Sequence, residues 1–325
     1  QDLFPKALKK NKKIYAYQTV EYIKDMGTPD RRLKVENDLL DGIVNSRNIN
    51  KKRKAIFIDR DGTINIEDGY LKNPNDMKLI SGSGDALKKI NQSCFISVCV
   101  TNQPVIARGE CSFETLNEIH NKMESLLGKK GAYLDKLYFC PHHPDSGFDG
   151  EIRSLKMNCN CRKPNPGMVL DAKKDLNISI KKSWMIGDRT SDVALAKSIG
   201  MLSSLVLTGA AGKDRKYYNR PTFIGKDLHE TVNFILNDYE TLKNELFKII
   251  NLIKNKRYIF ISGLARTGKT SVAMLLKEIL LQSDVIAHVI ELDRFLHKNR
   301  DENIKFRERY DINKIKSLLN KFKSD

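Results

Sequence analysis

The chain has 325 residues, 40% of them hydrophobic and 30% charged, with a formal net charge of +17. That length suits two or three domains with buried cores. No apolar run approaches the roughly 18 residues a membrane span needs, and the charged start Gln1–Lys13 has no apolar signal stretch, so the expected location is cytoplasmic with no membrane partner. The charge is spread through a Lys- and Asn-rich chain with no run of five basic residues, which argues against a nucleic-acid partner.

In chain order, residues 1–50 are polar and mixed, with a turn at Met26–Asp30 ahead of a helical stretch. Residues 52–235 alternate strands and helices. Lys54–Asp59, Phe95–Asn102, Lys136–Phe139, Ser183–Gly187 and Ser203–Leu207 read as buried strands. Phe113, Leu116, Ile119, Met123 and Leu126 recur at helical spacing, Pro166 opens a further helix and Gly200 closes another. Such alternation predicts an α/β fold with a parallel sheet whose ligands bind at the carboxyl ends of the strands. Residues 236–254 form an amphipathic linker helix through Leu242, Leu246, Ile249, Ile250 and Ile253. Residues 255–325 begin with a strand, Tyr258–Ser262, that enters a Gly-rich turn and helix, as the first part of a second α/β domain.

The chemistry concentrates at the predicted strand ends. The first strand ends in Asp59-Arg60-Asp61-Gly62-Thr63, and two carboxylates so close call for a cation such as Mg²⁺. The second ends in Thr101-Asn102-Gln103, Arg162 and Lys163 add fixed cations, and a later strand ends in Gly187-Asp188 with Asp192 one helical turn on. Asp-x-Asp-Gly alone is as readily a turn, and Thr101 alone a cap. Together they supply a nucleophile, an acid/base, phosphate-binding groups and a metal ligand on one sheet edge. Cys140-x-His142 and Cys159-x-Cys161 offer three thiolates and an imidazole, a closed tetrahedral set for a structural Zn²⁺. Cys161 directly precedes Arg162-Lys163, so the clip would position those cations. Cys94 and Cys99 read as core thiols.

These motifs, with Asp68-Gly69-Tyr70, Ile106-Ala107-Arg108-Gly109 and Cys140-Pro141-His142-His143-Pro144, resemble the haloacid-dehalogenase (HAD) phosphatases over residues 54–230. Within them the likeness is to the heptose-1,7-bisphosphate and histidinol-phosphate phosphatases. The resemblance implies a Rossmann-like domain in which Asp59 is the nucleophile and Asp61 the acid/base. Mg²⁺ would be held by Asp59, Asp61 and Asp188, and the phosphoryl group by Thr101 and Lys163. It implies a substrate-binding set of Asp68, Gly69, Tyr70, Thr101, Asn102, Gln103, Arg108, Arg162, Lys163 and Arg189, and it favours His142 over His143 as zinc ligand. Pro104-Val105 replaces a common Ser-Gly, which removes one backbone donor from the loop.

Gly263-Leu-Ala-Arg-Thr-Gly268-Lys269-Thr270 fits a P-loop for ATP phosphates, and with Asp293 in Glu291–Phe295 resembles the uridine-kinase group, here as a truncated domain. Residues 13–38, with Asp25, resemble the C-terminal end of sugar-1-phosphate nucleotidyltransferases, as a remnant. The leading expectation is a sugar-bisphosphate phosphatase inside a multidomain enzyme of activated-heptose synthesis. The alternatives are a polynucleotide kinase–phosphatase and a histidinol-phosphate phosphatase.

Overall fold

The computed structural model describes residues 3–14, 19–262, 269–282, 285–290 and 311–321. It divides into two compact units, residues 1–239 and 240–325.

The first unit runs α1 (Leu3–Lys9), α2 (Pro29–Leu40), α3 (Ile43–Ser46), β1 (Lys54–Ile58), α4 (Ser83–Asn91), β2 (Phe95–Asn102), α5 (Phe113–Lys129) and β3 (Lys136–Cys140). It continues with α6 (Gly167–Asp175), β4 (Trp184–Gly187), α7 (Thr190–Ser198), β5 (Leu202–Val206), β6 (Phe223–Gly225) and α8 (Leu228–Asn233). The strands form one six-stranded sheet in the order β3-β2-β1-β4-β5-β6, and every neighbouring pair is parallel. A parallel sheet is covered on both faces, so its central strands are continuous apolar runs. In β1 Ala55, Ile56, Phe57 and Ile58 are all buried. β1 and β4 are neighbours although two strands separate them in the chain, and the crevice at their carboxyl ends is where such sheets bind ligands.

Helix ends follow local chemistry. Arg31 N donates to Thr28 Oγ1 ahead of α2, and Thr115 N donates to Ser112 Oγ (3.1 Å) at the start of α5. Leu116, Ile119, His120, Met123 and Leu127 are the buried residues of α5. Gly200 follows α7 at φ +67°, the left-handed turn that ends a helix. The core against one sheet face joins Ala55, Phe57, Ile96, Val98, Val169 and Leu195, and Val20 from the polar N-terminal stretch joins it too. Arg47, also from that stretch, is buried, paired with Asp135, and donates to Phe95 O at 3.1 Å. The short β6 carries no periodicity the sequence reading could use. Behind it Phe223 stacks on Phe234 with centroids 3.9 Å apart.

The second unit contains α9 (Tyr239–Ile253, beginning at the boundary), α10 (Lys269–Gln282) and α11 (Ile312–Lys321). The strand expected at Tyr258–Ser262 is not formed, nor is one at residues 285–290. A strand exists by pairing, and the described residues of this unit offer no partner strand. Lys269 opens α10 with Thr270 behind it. Gly263, Gly268, Asp293 and the side chain of Thr270 lie outside the described residues. No helix among the described residues is long and apolar enough to cross a membrane.

Candidate active site

Asp59 follows β1, Thr101 and Asn102 end β2, and Asp188 follows β4, so three strands deliver polar groups to one edge. Lys163 arrives differently from the sequence expectation of a strand end. It comes from the long loop between β3 and α6 and lies buried, with Nζ 2.8 Å from Asp59 Oδ1 and 2.7 Å from Asp192 Oδ1. Asn102 holds the Lys163 backbone at both polar groups: Lys163 N donates to Asn102 Oδ1 (3.0 Å) and Asn102 Nδ2 donates to Lys163 O (3.2 Å). Carboxylate oxygens of Asp59, Asp188 and Asp192 lie within 4.8 Å of one another.

Asp61 is held by donors. Arg60 reaches it through Nε (3.1 Å) and Nη2 (2.9 Å), Asn65 through Nδ2 (3.0 Å) and Gln103 through Nε2 (2.8 Å). Gln103 Nε2 also donates to Thr101 Oγ1 at 2.8 Å. Gly62, at φ +74°, makes this packing feasible, because a Cβ there would stand 2.4 Å from Asp188 Oδ2.

The Cys/His groups converge as well. Cys161 Sγ lies 3.1 Å from Cys140 Sγ, 3.3 Å from Cys159 Sγ and 3.3 Å from His142 Nδ1, and Cys140 Sγ lies 3.5 Å from Cys159 Sγ and 3.6 Å from His142 Nδ1. All six cysteines are free thiols. His143 stays out of this cluster: its Nε2 lies 3.1 Å from Arg108 Nη2. The loop that begins at Cys140 is stitched to the 104–111 loop, since Ala107 N donates to Pro141 O (3.2 Å) and Ile152 N donates to Ala107 O (3.0 Å). The Arg108 guanidinium lies over Tyr70 on one contact (4.5 Å) and Phe148 on another (4.4 Å). Arg162 Nη1 donates to His142 O at 3.2 Å. Arg189 pairs with Glu67, and Gly69 takes a left-handed turn at φ +70° between Asp68 and Tyr70.

Comparison with known proteins decides what this edge belongs to. A HAD-hydrolase-like family model matches residues 160–231. The D-glycero-beta-D-manno-heptose-1,7-bisphosphate 7-phosphatase of Yersinia pestis is 43% identical over 157 residues, covering 48% of this chain and 81% of that protein. The protein of the same name from Escherichia coli K12 is 42% identical over 164 residues, covering 49% of this chain and 82% of its own length. The chain belongs to the HAD-like phosphatases. A solved D,D-heptose 1,7-bisphosphate phosphatase from B. bronchiseptica, complexed with magnesium and phosphate, superposes with a TM-score of 0.51 at 31% identity, covering 57% of this chain and 99% of that one.

The electrostatics of the HAD-like domain show what its edge asks for. Burial pushes the Asp59 carboxyl up to about 7, with Lys163 opposing and Asp192 adding. Asp188 is pushed to about 8 by burial and then by the charges of Asp59 and Asp192. Burial works against the Lys163 ammonium too, but Asp192 and Asp59 outweigh it and raise its pKa. Asp61 goes the other way: burial is overcome by Arg60 and by hydrogen bonds from Asn65 and Gln103, which hold it below the usual carboxylate range. Asp188 Oδ2 accepts from Ala210 N at 2.6 Å, while its Oδ1 is buried without a hydrogen-bond partner. Three carboxylates against one ammonium, with one oxygen unpartnered, fit a hard divalent cation that takes oxygen ligands.

Three contributors escaped the sequence reading of the site, and a fourth was read without its partner. Asp192 was noticed only as a residue near Asp188, and the structure makes it a partner of Lys163. Arg60, between the two aspartates, is their buried neighbour and Asp61's main donor. Glu67 and Phe148 partner Arg189 and Arg108. An arginine set between two aspartates directly after an apolar strand was the available signal for Arg60. The other three depend on contacts between distant loops.

Proposed function

We propose that the first unit hydrolyses a sugar bisphosphate, a heptose 1,7-bisphosphate, through an aspartyl phosphate on Asp59. The supporting observation is the buried Asp59 carboxylate beside Lys163 at a parallel-sheet edge, in a chain whose relatives bear that activity in their names. An Asp59 oxygen forms a bond to phosphorus as the bond to the sugar oxygen breaks, and Asp61 gives that oxygen its proton. Water then attacks phosphorus, returns its proton to Asp61 and frees Asp59. Lys163 and Thr101 offset the charge on the transferring phosphoryl group. A Mg²⁺ ion would be held by Asp59, the Asp61 backbone carbonyl and Asp188, and would supply compensating charge. Arg60 and its neighbours lower the Asp61 pKa, so Asp61 parts readily with its proton in the first half, is then ionised for the water-activating half, and regains the proton from that water. Asp68, Gly69, Tyr70, Asn102, Gln103, Arg108, Arg162 and Arg189 would bind the rest of the substrate.

Cys140, His142, Cys159 and Cys161 would hold a structural Zn²⁺. With Zn–S near 2.3 Å and Zn–N near 2.0 Å, a tetrahedron has edges of about 3.5–3.8 Å, and the donor separations approach that. The sequence likenesses at residues 13–38 and 263–270 support a multidomain sugar-activating enzyme with ATP at the P-loop. The test is a Mg²⁺-dependent screen of heptose 1,7-bisphosphate, histidinol phosphate and a 3′-phosphorylated oligonucleotide. The heptose should be turned over best by at least about tenfold in kcat/KM. Preference for either of the others would replace this reading.

A further inference from the structure

Arg60 is wholly buried at 0% exposure. A buried guanidinium must have its charge and its N–H groups met. Nε and Nη2 face Asp61, and Nη2 also donates to Gln103 Oε1 at 3.0 Å. Nη1 points the other way and lies 3.1 Å from His120 Nε2. A guanidinium only donates, so His120 Nε2 accepts and the imidazole is neutral. Burial, then the Arg60 charge, push the imidazole pKa down to about 3, which agrees.

His120 is well placed as a fixed point. It sits among the buried residues of α5, between Ile119 and the Met123 turn, and its ring tilts against Phe139 with centroids 5.6 Å apart. Helix packing therefore sets where the acceptor stands. From there one chain of hydrogen bonds runs to the sheet edge: His120 to Arg60, Arg60 to Asp61 and Gln103, and Gln103 to both Asp61 and Thr101.

We propose that His120 is a positioning residue for the phosphatase reaction, anchoring the Arg60 guanidinium so that Asp61 stands in register with the phosphoryl site, while Gln103 keeps its own bonds to Asp61 and Thr101. The proposal rests on the role given to Asp61 above. Without the acceptor on α5, Nη1 is buried and unmet, and the guanidinium turns to find another partner. Asp61 then loses the fixed geometry of its strongest donor. Proton transfer depends on that geometry, while substrate binding at the loops does not.

The experiment compares His120→Leu, which removes the acceptor, with His120→Gln, whose Oε1 can stand near the place of Nε2. Turnover of heptose 1,7-bisphosphate and of p-nitrophenyl phosphate is measured with Mg²⁺ on the full chain, well below each variant's melting temperature. His120→Leu should lower kcat by about 10- to 100-fold with KM within about twofold, and His120→Gln should recover most of the loss. If His120→Leu does not fold, His120→Asn, whose amide falls short of Nη1, is read in the same way. Unchanged kcat in a variant that merely melts lower would overturn the proposal. So would a loss carried by KM, or a Gln variant as slow as Leu. A wild-type chain inactive on both substrates would instead overturn the function itself, and this role with it.

Discussion

Lys163 Nζ lies 2.7 Å from Asp192 Oδ1, an ion pair with both side chains almost fully buried. Asp192 sits in the first turn of α7, and Lys163 comes from the loop ahead of α6. The pair thus ties the Lys163 ammonium to the β4–α7 segment that also carries Asp188.

Asp192→Asn should lower kcat by about tenfold or more, because Lys163 then has only Asp59 to fix its ammonium. Lys163→Met should cost about 3–5 kcal/mol in urea unfolding of metal-free protein, since it leaves buried carboxylates without their cation. Wild-type stability in that variant would show that the ion pair does not matter to the fold.

Asp59→Asn should abolish turnover, because an amide oxygen is not a nucleophile toward phosphorus. Asp61→Asn should slow turnover and accumulate phosphoenzyme, since attack by water then lacks its base. Acid-quenched, mass-analysed enzyme reads both, and normal steady-state rates in Asp59→Asn would refute the assignment.

Stability of metal-free protein should fall as pH rises from about 4 to about 8. Asp59 stands near 7 and Asp188 near 8 when folded, against about 4 in an unfolded chain, so the folded state binds more protons across that window. A cation at the carboxylates removes the penalty. Mg²⁺ should accordingly raise the melting temperature more at pH 8 than at pH 6, and equal shifts at both would contradict this account.

Purified protein should contain one Zn²⁺ by elemental analysis. Cys159→Ser should lower zinc content and melting temperature together, because the loop between His142 and Cys159 is left unclosed. Activity should fall as well, as that loop carries Phe148 against Arg108. Zinc-free protein with unchanged melting and rate would dismiss the clip.

The α/β architecture was legible in the chain because a parallel sheet needs strands that are apolar almost throughout, and Ala55–Ile58 and, apart from Ser97, Ile96–Val100 are such runs. Polar residues directly after them, Asp59, Thr101 and Asp188, mark a sheet edge for the same reason: the strand's apolar demand ends there. Cys140, His142, Cys159 and Cys161 stood out by spacing, since few side chains share that ligand chemistry. Periodicity could not reveal β6, which is three residues long, nor the membership of Val20 in the core. At Tyr258–Ser262 it suggested a strand that did not form, because strand propensity needs a neighbour to pair with. Only the tertiary structure decided that Lys163 lies between Asp59 and Asp192, that Arg108 rests on Tyr70 and Phe148, and that His120 meets Arg60. Such contacts join residues far apart in sequence, and they exist only once the packed sheet and helices hold distant loops within hydrogen-bonding reach.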